Sequence, residues 1–309
     1  MNQKPYHNKQ ETRPNFFIVG APRAGTTSMD EYLRQHPEIF VPYVKEAHFF
    51  GRDLTKIPHP FFVLQQEDYL KLFRKARDYK AIGETSVMYL YSKTAAQEIK
   101  AFSPTAKIII MLRNPVDMIY SHHSHLYWAG YEPIRDFAQA LAAEPLRKQG
   151  IQVPPHANLR EALFYRDTAR YSGQIMRYIK IFGEENVHIV IFDDLKENLP
   201  GEYEKILSFL GVRKDFRPKF HIANANKEPR IPWLMPYIQN PPQVIQKLLG
   251  LLPHRMALLI LQKAAALDTR MTSRPPMPSE LRKRLIDEFV PEVERIEKLL
   301  KRDLPHWKG

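Results

Sequence analysis

Residues 15–28 read Asn-Phe-Phe-Ile-Val-Gly-Ala-Pro-Arg-Ala-Gly-Thr-Thr-Ser, and this stretch decides the fold. Its apolar beginning, which ends at Gly20, is typical of a buried strand. A helix is predicted from Thr26 to His36, because apolar residues recur at helical spacing until Pro37 stops them. Gly20 and Gly25, with four residues between them, have the spacing of a phosphate-binding loop. The segment therefore predicts a strand, a phosphate loop and a helix.

The chemistry of this loop favours an anion. Gly25 lets the backbone approach a ligand closely, and the N–H groups of Thr26, Thr27 and Ser28 lie at the positive end of the predicted helix. A nucleoside triphosphatase would carry Lys where Thr26 stands, whereas here the cation is Arg23, inside the loop. The pattern indicates a phosphate bound without a metal. The alternative is a tight turn that uses glycine for its shape alone.

Strands and helices alternate along the next two hundred residues. Residues 80–84, 107–112 and 187–192 are predicted strands, the second being the most apolar and β-branched. Asn114-Pro115 predicts the start of one helix, and a further helix is expected over 203–210. The alternation predicts an α/β fold in which a mostly parallel sheet is covered by helices on both faces, a three-layer α/β/α sandwich.

A second motif follows the strand 107–112. Arg113 stands at the carboxyl end of this strand, and Ser121 comes two helical turns later. A magnesium-dependent phosphotransferase often carries an Asp at such a strand end. A cation suits a second phosphate at the sheet edge where open α/β sheets bind ligands. The alternative is an ion pair between Arg113 and a neighbouring carboxylate. Asp193-Asp194 fits a polar strand end better than a magnesium site.

Both segments resemble motifs of the sulfotransferase family that uses 3′-phosphoadenosine-5′-phosphosulfate (PAPS) as its donor. Residues 20–28 are similar to the family's 5′-phosphosulfate loop, and residues 113–121 to its 3′-phosphate segment. The likeness is closer to the glycan-modifying branch, typified by heparan sulfate sulfotransferases, and to its bacterial relatives than to the aryl branch. Three shorter stretches extend it: Lys45-Glu-Ala-His48-Phe-Phe, Gly83-Glu84-Thr-Ser and Leu300-Lys-Arg-Asp-Leu-Pro-His-Trp307.

The resemblance implies a P-loop-like fold and a role for each matching residue. It implies that Glu84 is the general base, that Lys45 steadies the sulfuryl oxygens or the acceptor, and that His48 is a substitute base. Arg23 replaces the family's loop lysine, so bidentate hydrogen bonding replaces a compact ammonium. The implied donor-binding residues are Arg23, Ala24, Gly25, Thr26, Thr27, Ser28, Arg113, Ser121 and, in a late loop, Arg274.

The implied reaction moves a sulfuryl group from PAPS to a hydroxyl or amine of a carbohydrate-like acceptor, with 3′,5′-adenosine bisphosphate (PAP) as the product and no metal. Two other classes compete with it. An ATP- or GTP-dependent kinase needs a Lys after Gly25, and a nucleic-acid-binding protein needs aromatic residues among the basic ones; both patterns are missing. His122, His123 and His125 lack a carboxylate at helical spacing, which argues against a metal site.

Composition agrees with an anionic ligand. The chain has 309 residues, 46 Lys and Arg against 34 Asp and Glu, a net charge of +12 and no cysteine. The charge favours a nucleotide, nucleic acid, acidic glycan or membrane surface as partner. The lack of cysteine excludes a disulfide framework, a cysteine zinc site and a cysteine nucleophile.

The remaining predictions concern organisation. Residues 1–14 are expected to form a flexible arm and 15–309 a single domain, mostly helical from 222 onward, in a cytoplasmic protein without a signal peptide. Residues 133–158 are interpreted as a surface excursion or lid.

Residues 244–261 are apolar with basic interruptions, too broken to span a membrane. They are expected to pack into the core, the alternatives being a dimer contact or a membrane-surface patch. An apolar stripe from Leu281 to Leu300 predicts a terminal helix, kinked or broken at Pro291.

Overall fold

The computed structural model describes residues 11–56, 62–220, 226–231, 233–239, 241–252 and 254–309. Most of the predicted N-terminal arm, 1–10, lies outside these ranges. Within the described part, the Arg13 guanidinium lies 4.6 Å from the centre of the Phe102 ring and donates a hydrogen bond to the Phe102 carbonyl at 3.2 Å. The end of the predicted arm therefore contacts the rest of the protein.

A five-stranded sheet forms the centre of the molecule. Its strands are β1 (Phe16–Gly20), β2 (Ile39–Phe40), β3 (Ala81–Thr85), β4 (Lys107–Leu112) and β5 (Val187–Ile191). They lie in the order β2-β3-β1-β4-β5, and every adjacent pair is parallel. All residues of β1 are buried, as expected for a central parallel strand covered on both faces. The predicted mostly parallel sheet flanked by helices is confirmed.

Helices connect the strands and continue beyond them. The first nine are α1 (Thr26–Arg34), α2 (Gln66–Lys71), α3 (Ala95–Phe102), α4 (Pro115–Trp128), α5 (Phe137–Lys148), α6 (Tyr165–Thr168), α7 (Tyr171–Phe182), α8 (Phe192–Glu197) and α9 (Leu199–Leu210). Short 3₁₀ turns cover Val87–Tyr89, Arg160–Leu163, Glu184–Asn186 and Pro305–Trp307.

The start of α4 shows how local sequence fixes an element at the sheet edge. The Asn114 side chain accepts hydrogen bonds from the backbone N–H groups of Val116, at 2.9 Å, and Asp117. Pro115 occupies the first helical position, where its missing N–H leaves no hydrogen bond unmade. Because α4 begins directly after β4, this cap sets the direction in which Arg113 leaves the strand.

The C-terminal part is helical, as predicted, with one addition. Its helices are α10 (Met235–Gln239), α11 (Gln243–Gly250), α12 (His254–Asp268) and α13 (Ser279–Leu300). The addition is an antiparallel pair, β6 (Asn226–Pro229) with β7 (Thr269–Thr272), which the sequence did not reveal. β6 packs against α4, and this places β7 and the residues after it beside the main sheet domain.

Part of the segment 133–158, which was interpreted as a surface excursion or lid, is instead a packed helix. Its residues Phe137–Lys148 form α5, which buries Phe137, Leu141 and other side chains against the body, and for the rest of the segment the interpretation stays a prediction. Both terminal nitrogens of Arg147 donate to the carboxylate of Glu132, at 2.6 and 2.7 Å, and both side chains are buried. This buried, bidentate ion pair anchors α5 to the body, so the helix does not suit a lid.

Two predictions about the C-terminal part are tested by the structure. The helix α13 continues through Pro291, so a break at this residue is wrong, whereas a kink stays a prediction. Residues 244–261 do not pack into the core: most described apolar side chains of α11 and α12 are exposed to solvent. No helix in the described ranges is both long and apolar enough to cross a bilayer.

Candidate active site

Three connections meet at the carboxyl edge of the sheet. The phosphate loop follows β1, the 3₁₀ turn Val87–Tyr89 follows β3, and Arg113 follows β4. A fourth segment, residues 45–48, lies against the second of these, because the Glu46 N–H donates to the Thr85 carbonyl at 2.9 Å. Parallel strands end at one edge, so motifs that are far apart in the chain become neighbours here.

The phosphate loop turns into α1 at Gly25, whose φ of 88° lies in the left-handed region. A Cβ at this position would lie 3.2 Å from the Phe192 ring, so both the turn and the packing require glycine. The first N–H groups of α1, on Thr26, Thr27 and Ser28, have no partner within the helix by its geometry. A helix start of this kind is suited to bind an anion, and Ala24 is buried within the loop before it.

Three arginines converge beside this loop. The Arg23 Nε and one Arg274 terminal nitrogen both donate to the hydroxyl of Ser121, at 3.1 and 3.0 Å. Arg113 donates to the Arg23 carbonyl at 3.3 Å and lies 4.9 Å from the centre of the Phe192 ring. The structure thus brings together Arg23, the pair Arg113 and Ser121, and Arg274 from three separate parts of the sequence.

The arginine cluster concentrates positive charge in a partly buried place. Burial, followed by the charges of Arg274 and Arg113, lowers the pKa of Arg23 to about 10. Burial also lowers the pKa of Arg113 and of Arg274. Buried Nε atoms of Arg113 and Arg274 have no hydrogen-bond partner in the structure. Mutual repulsion and unmade donor bonds are both relieved by a multiply charged anion.

A cavity of about 370 Å³ opens on the other side of Arg23. Its polar wall includes Arg23, Thr26, Thr27, Lys45, Glu46 and His48. Its apolar wall includes Phe62, Val87, Met88, Leu126, Trp128 and Tyr131. The volume suits a compact ligand or one sugar-sized part of a longer one.

Glu46 is the carboxylate of this cavity. One oxygen accepts from the Lys45 ammonium at 2.5 Å, and the other lies 3.3 Å from the His48 Nε2 and accepts from the Val87 N–H at 2.9 Å. Burial alone would raise the pKa of Glu46, but Lys45, His48 and these hydrogen bonds lower it below its ordinary value. Glu46 is therefore ionised at neutral pH.

Backbone strain is concentrated at the same cavity. The structure describes five non-glycine residues with positive φ, and three of them line the cavity: Arg23 at 58°, Glu46 at 60° and His48 at 48°. Each such conformation costs roughly 1–2 kcal/mol for an L-residue. Strained residues persist where surrounding contacts hold them, and they cluster at functional sites.

Glu84 lies under this site and is not among the described residues that line the cavity. It is buried within β3, where it accepts from the Ser86 hydroxyl at 2.5 Å and lies 3.5 Å from the Tyr69 hydroxyl. Burial raises the pKa of Glu84 to about 8. Because Ser86 in turn accepts from the His48 N–H at 3.1 Å, Glu84 supports the loop that carries Glu46.

The histidines of α4 are neutral. The His122 Nε2 lies 3.0 Å from the Ala162 carbonyl, and burial lowers the pKa of His122 to about 4. Burial also lowers the pKa of His125, which lines the cavity with His122. His123 contacts the Ile134 carbonyl at 2.8 Å instead. Within the described residues no group of three or more His, Asp and Glu side chains is placed to hold a metal ion.

Comparison with known proteins decides the family. The sulfotransferase domain matches residues 13–220, which contain the sheet, the phosphate loop and the Arg113 segment. The chain belongs to the sulfotransferase family. A solved sulfotransferase from Alicyclobacillus acidocaldarius is 31% identical, with a TM-score of 0.72 over 96% of this chain and 100% of that chain. This likeness extends beyond residue 220 and includes the helical C-terminal part.

Curated relatives of this sulfotransferase include enzymes named for carbohydrate acceptors. Carbohydrate sulfotransferase 15 of Mus musculus is 26% identical over 254 residues, covering 67% of this chain and 45% of the relative. Heparan sulfate glucosamine 3-O-sulfotransferase 6 of Homo sapiens is 26% identical over 221 residues, covering 69% of this chain and 57% of the relative. The chain spans about half the length of these relatives.

The sequence of this sulfotransferase did not identify Glu46 as a site residue. The resemblance assigned roles to Lys45 and His48 and none to Glu46, whereas in the structure Lys45 and Glu46 both line the cavity. The sequence feature that could have identified Lys45 and Glu46 as site residues was the resemblance of residues 45–50 to a family motif. The cavity residues Trp128 and Tyr131 carried no such signal, since an aromatic residue at a helix end is common on any surface.

Proposed function

We propose that this sulfotransferase transfers a sulfuryl group from PAPS to a hydroxyl or amine of a carbohydrate-like acceptor. The observation that carries the proposal is the convergence of Arg23, Arg113 and Arg274 around Ser121, next to a cavity with an ionised carboxylate. PAPS carries phosphate at the 3′ and at the 5′ position of its ribose. The chain offers cationic groups both at the phosphate loop and beside Ser121. A nucleotide with one phosphate cluster would leave one of them unused.

The two places divide the donor between them. The N–H groups of Thr26, Thr27 and Ser28, together with Arg23, would hold the 5′-phosphate and balance the charge that develops on the leaving oxygen. Arg113, Arg274 and the hydroxyl of Ser121 would hold the 3′-phosphate. Arg23 contacts Ser121 and also lines the cavity, so it stands between the two phosphates.

We place Glu46 as the general base of the transfer. The sulfuryl group leaves the bridging oxygen of PAPS and joins the acceptor oxygen, whose proton passes to the Glu46 carboxylate while PAP leaves. Glu46 fits because it lines the cavity and is ionised, with Lys45 and His48 fixing its two oxygens. Lys45 is also placed to steady the sulfuryl oxygens.

Glu84 was expected to be the base, and that role stays a prediction. Its burial and its pKa of about 8 favour a supporting role, in which its contact with Ser86 holds the His48 backbone. A buried carboxyl that is protonated at neutral pH and does not line the cavity is less suited to take a proton from an acceptor hydroxyl. Assigning the base to Glu46 or to Glu84 therefore predicts different effects of mutation on turnover.

The acceptor cavity has two faces, and they suit a carbohydrate bound against aromatic side chains. Trp128 and Tyr131 offer ring surfaces, and Asn158, Lys45 and Glu46 offer hydrogen bonds. Sugars present apolar C–H faces and polar edges, so a mixed wall of this kind accommodates them. The named acceptors of the curated relatives support the same class.

The kinase alternative gains no support from the acidic pair after β5. Asp193 accepts from the indole N–H of Trp307 at 3.0 Å and from Lys196 at 2.8 Å. Asp194 pairs with the guanidinium of Arg302. Both carboxylates are engaged in holding the C-terminal segment against α8.

Ligand-induced thermal stabilisation tests the proposed donor. We expect PAP without magnesium to raise the unfolding temperature, because a ligand at about 100 times its Kd adds roughly 2.7 kcal/mol to stability. ADP with magnesium should raise it little. The reverse result would favour the kinase. A radiolabelled PAPS assay against a panel of sugars then tests transfer itself.

A further inference from the structure

An exposed apolar surface stands apart from the proposed active site. It is formed by α11 and α12, which pack against each other and join the body through α10 and β7. Leu248 is 61% exposed and Leu251 is 83% exposed, and neighbouring apolar side chains share this exposure. The others on this surface are Val244, Ile245, Met256, Leu259, Ile260 and Leu267. Apolar side chains that are exposed in a group, and not singly, mark interaction surfaces.

The charged residues in this part of the sequence have one sign. Residues 231–267 contain Lys247, Arg255 and Lys263 and not one Asp or Glu. Lys247 follows Val244 by three positions and precedes Leu251 by four, so it belongs to the apolar stripe of α11. Lys263 has the same relation to Ile260 and Leu267 on α12. Both lysines are exposed.

We propose that the surface formed by α11 and α12 binds an anionic lipid bilayer. Apolar side chains at helical spacing enter the boundary between headgroups and acyl chains, and the lysines reach the lipid phosphates through their long stems. Each Lys or Arg near such a surface adds roughly 1 kcal/mol of attraction. The net charge of +12 adds to this attraction at longer range.

A second copy of the chain fits this surface less well. A two-fold interface would bring the same patch from both copies together, so Lys247 and Lys263 would meet further cations. No acid within residues 231–267 is available to pair with them. An anionic bilayer supplies the missing charge as well as the apolar partner.

The elements that join this surface to the body, β7 and α10, lie near the acceptor cavity. The Trp128 indole N–H donates to the Thr269 hydroxyl at 2.9 Å, and the ring of His156 lies 5.5 Å from that of Tyr237 on α10. Trp128 lines the cavity. Bilayer binding through α11 and α12 would therefore hold the cavity near the lipid surface.

Vesicle flotation with the full chain tests the proposal in the absence of nucleotide and acceptor. A negative result would therefore contradict bilayer binding without contradicting the proposed sulfuryl transfer. We expect the protein to float with vesicles of equal parts phosphatidylcholine and phosphatidylglycerol, and far less with phosphatidylcholine alone. The double variant Leu248→Glu/Leu251→Glu should weaken binding by about tenfold or more. Ile151→Glu changes an equally apolar, half-exposed residue in the turn after α5 and should have no effect.

A charge variant gives a second measurement should the leucine variant fail to fold. Lys247→Gln/Lys263→Gln should weaken binding to the anionic vesicles by roughly fivefold per lysine and reduce its salt dependence. The proposal is overturned by a lack of flotation, or by flotation that both variants leave unchanged. It is also overturned by a dimer in sedimentation that Leu248→Glu/Leu251→Glu dissociates.

Discussion

Arg274 and Ser121 are 153 residues apart in the chain, and yet the Arg274 guanidinium donates to the Ser121 hydroxyl at 3.0 Å. The same oxygen accepts from Arg23. One hydroxyl therefore holds two cations, and after burial the charge of Arg274 lowers the pKa of Arg23. The β6–β7 pair carries Arg274 to the sheet edge. The late loop of the C-terminal part thus completes a site that β1 and β4 begin.

Replacing Arg274 with alanine should weaken PAP binding. A hydrogen bond to a charged group is worth about 1.5–3 kcal/mol, so the Kd should rise from about tenfold to more than a hundredfold. Titration calorimetry with PAP measures it. Arg295→Ala is the control, because Arg295 is exposed and pairs with Glu292 on α13. Unchanged affinity in Arg274→Ala would remove this residue from the donor site.

Glu46→Gln should lower kcat by about 10²–10⁴-fold. PAP binding should be retained, because the amide keeps the shape of the side chain although it accepts no proton. Glu84→Gln is the matched control in the same fold, and it should retain most activity because Glu84 lies under the cavity. The measurement is kcat with a saturating donor. Loss of turnover in Glu84→Gln, with Glu46→Gln active, would reverse the assignment.

The pH dependence of turnover separates the same two carboxylates. A base must be deprotonated to act, and the pKa of Glu46 lies below its ordinary value. With Glu46 as base, kcat should therefore stay level from about pH 5.5 upward. With Glu84 as base, kcat would rise about tenfold per pH unit until its pKa of about 8 and level off above it. The profile of kcat from about pH 5.5 to 9.5 distinguishes these outcomes.

Gly25→Ala should impair both folding and donor binding. Its Cβ would meet the Phe192 ring at 3.2 Å, on a backbone whose φ is 88°. Gly150→Ala shares the positive φ, at 80°, but its Cβ would meet nothing within 4 Å. Chemical denaturation should show a loss of about 1 kcal/mol for Gly150→Ala and more for Gly25→Ala. Only Gly25→Ala should lose PAP affinity; equal effects would mean that conformational strain alone matters.

The fold was readable from the sequence because its signals are local. Buried strands such as β1 and β4 are continuous apolar runs, and the glycine spacing of the phosphate loop marks the turn into α1. The spacing of Arg113 and Ser121 also lies within one strand end and one helix. Parallel strands end at one edge of a sheet, and this rule predicted that the phosphate loop and the segment 113–121 lie close together.

The identity of the site carboxylate did not follow in the same way. Glu46 and Glu84 both belong to segments at that edge, and the Glu46 N–H donates to the carbonyl of Thr85, the residue after Glu84. The depth at which each side chain is buried determines which of the two lines the cavity. Glu84 lies within β3 under Ser86 and Tyr69, whereas Glu46 lies in a loop that crosses above the strand end.

By itself the sequence determined the parallel sheet, the phosphate loop and the arginine motif, because hydrophobic periodicity and turn chemistry act over a few residues. Only the tertiary structure decided that Glu46 faces the cavity, that Arg274 reaches Ser121 and that α11 and α12 leave their apolar side chains uncovered. Burial depends on which distant segments pack above a residue. Composition alone carries no information about that packing.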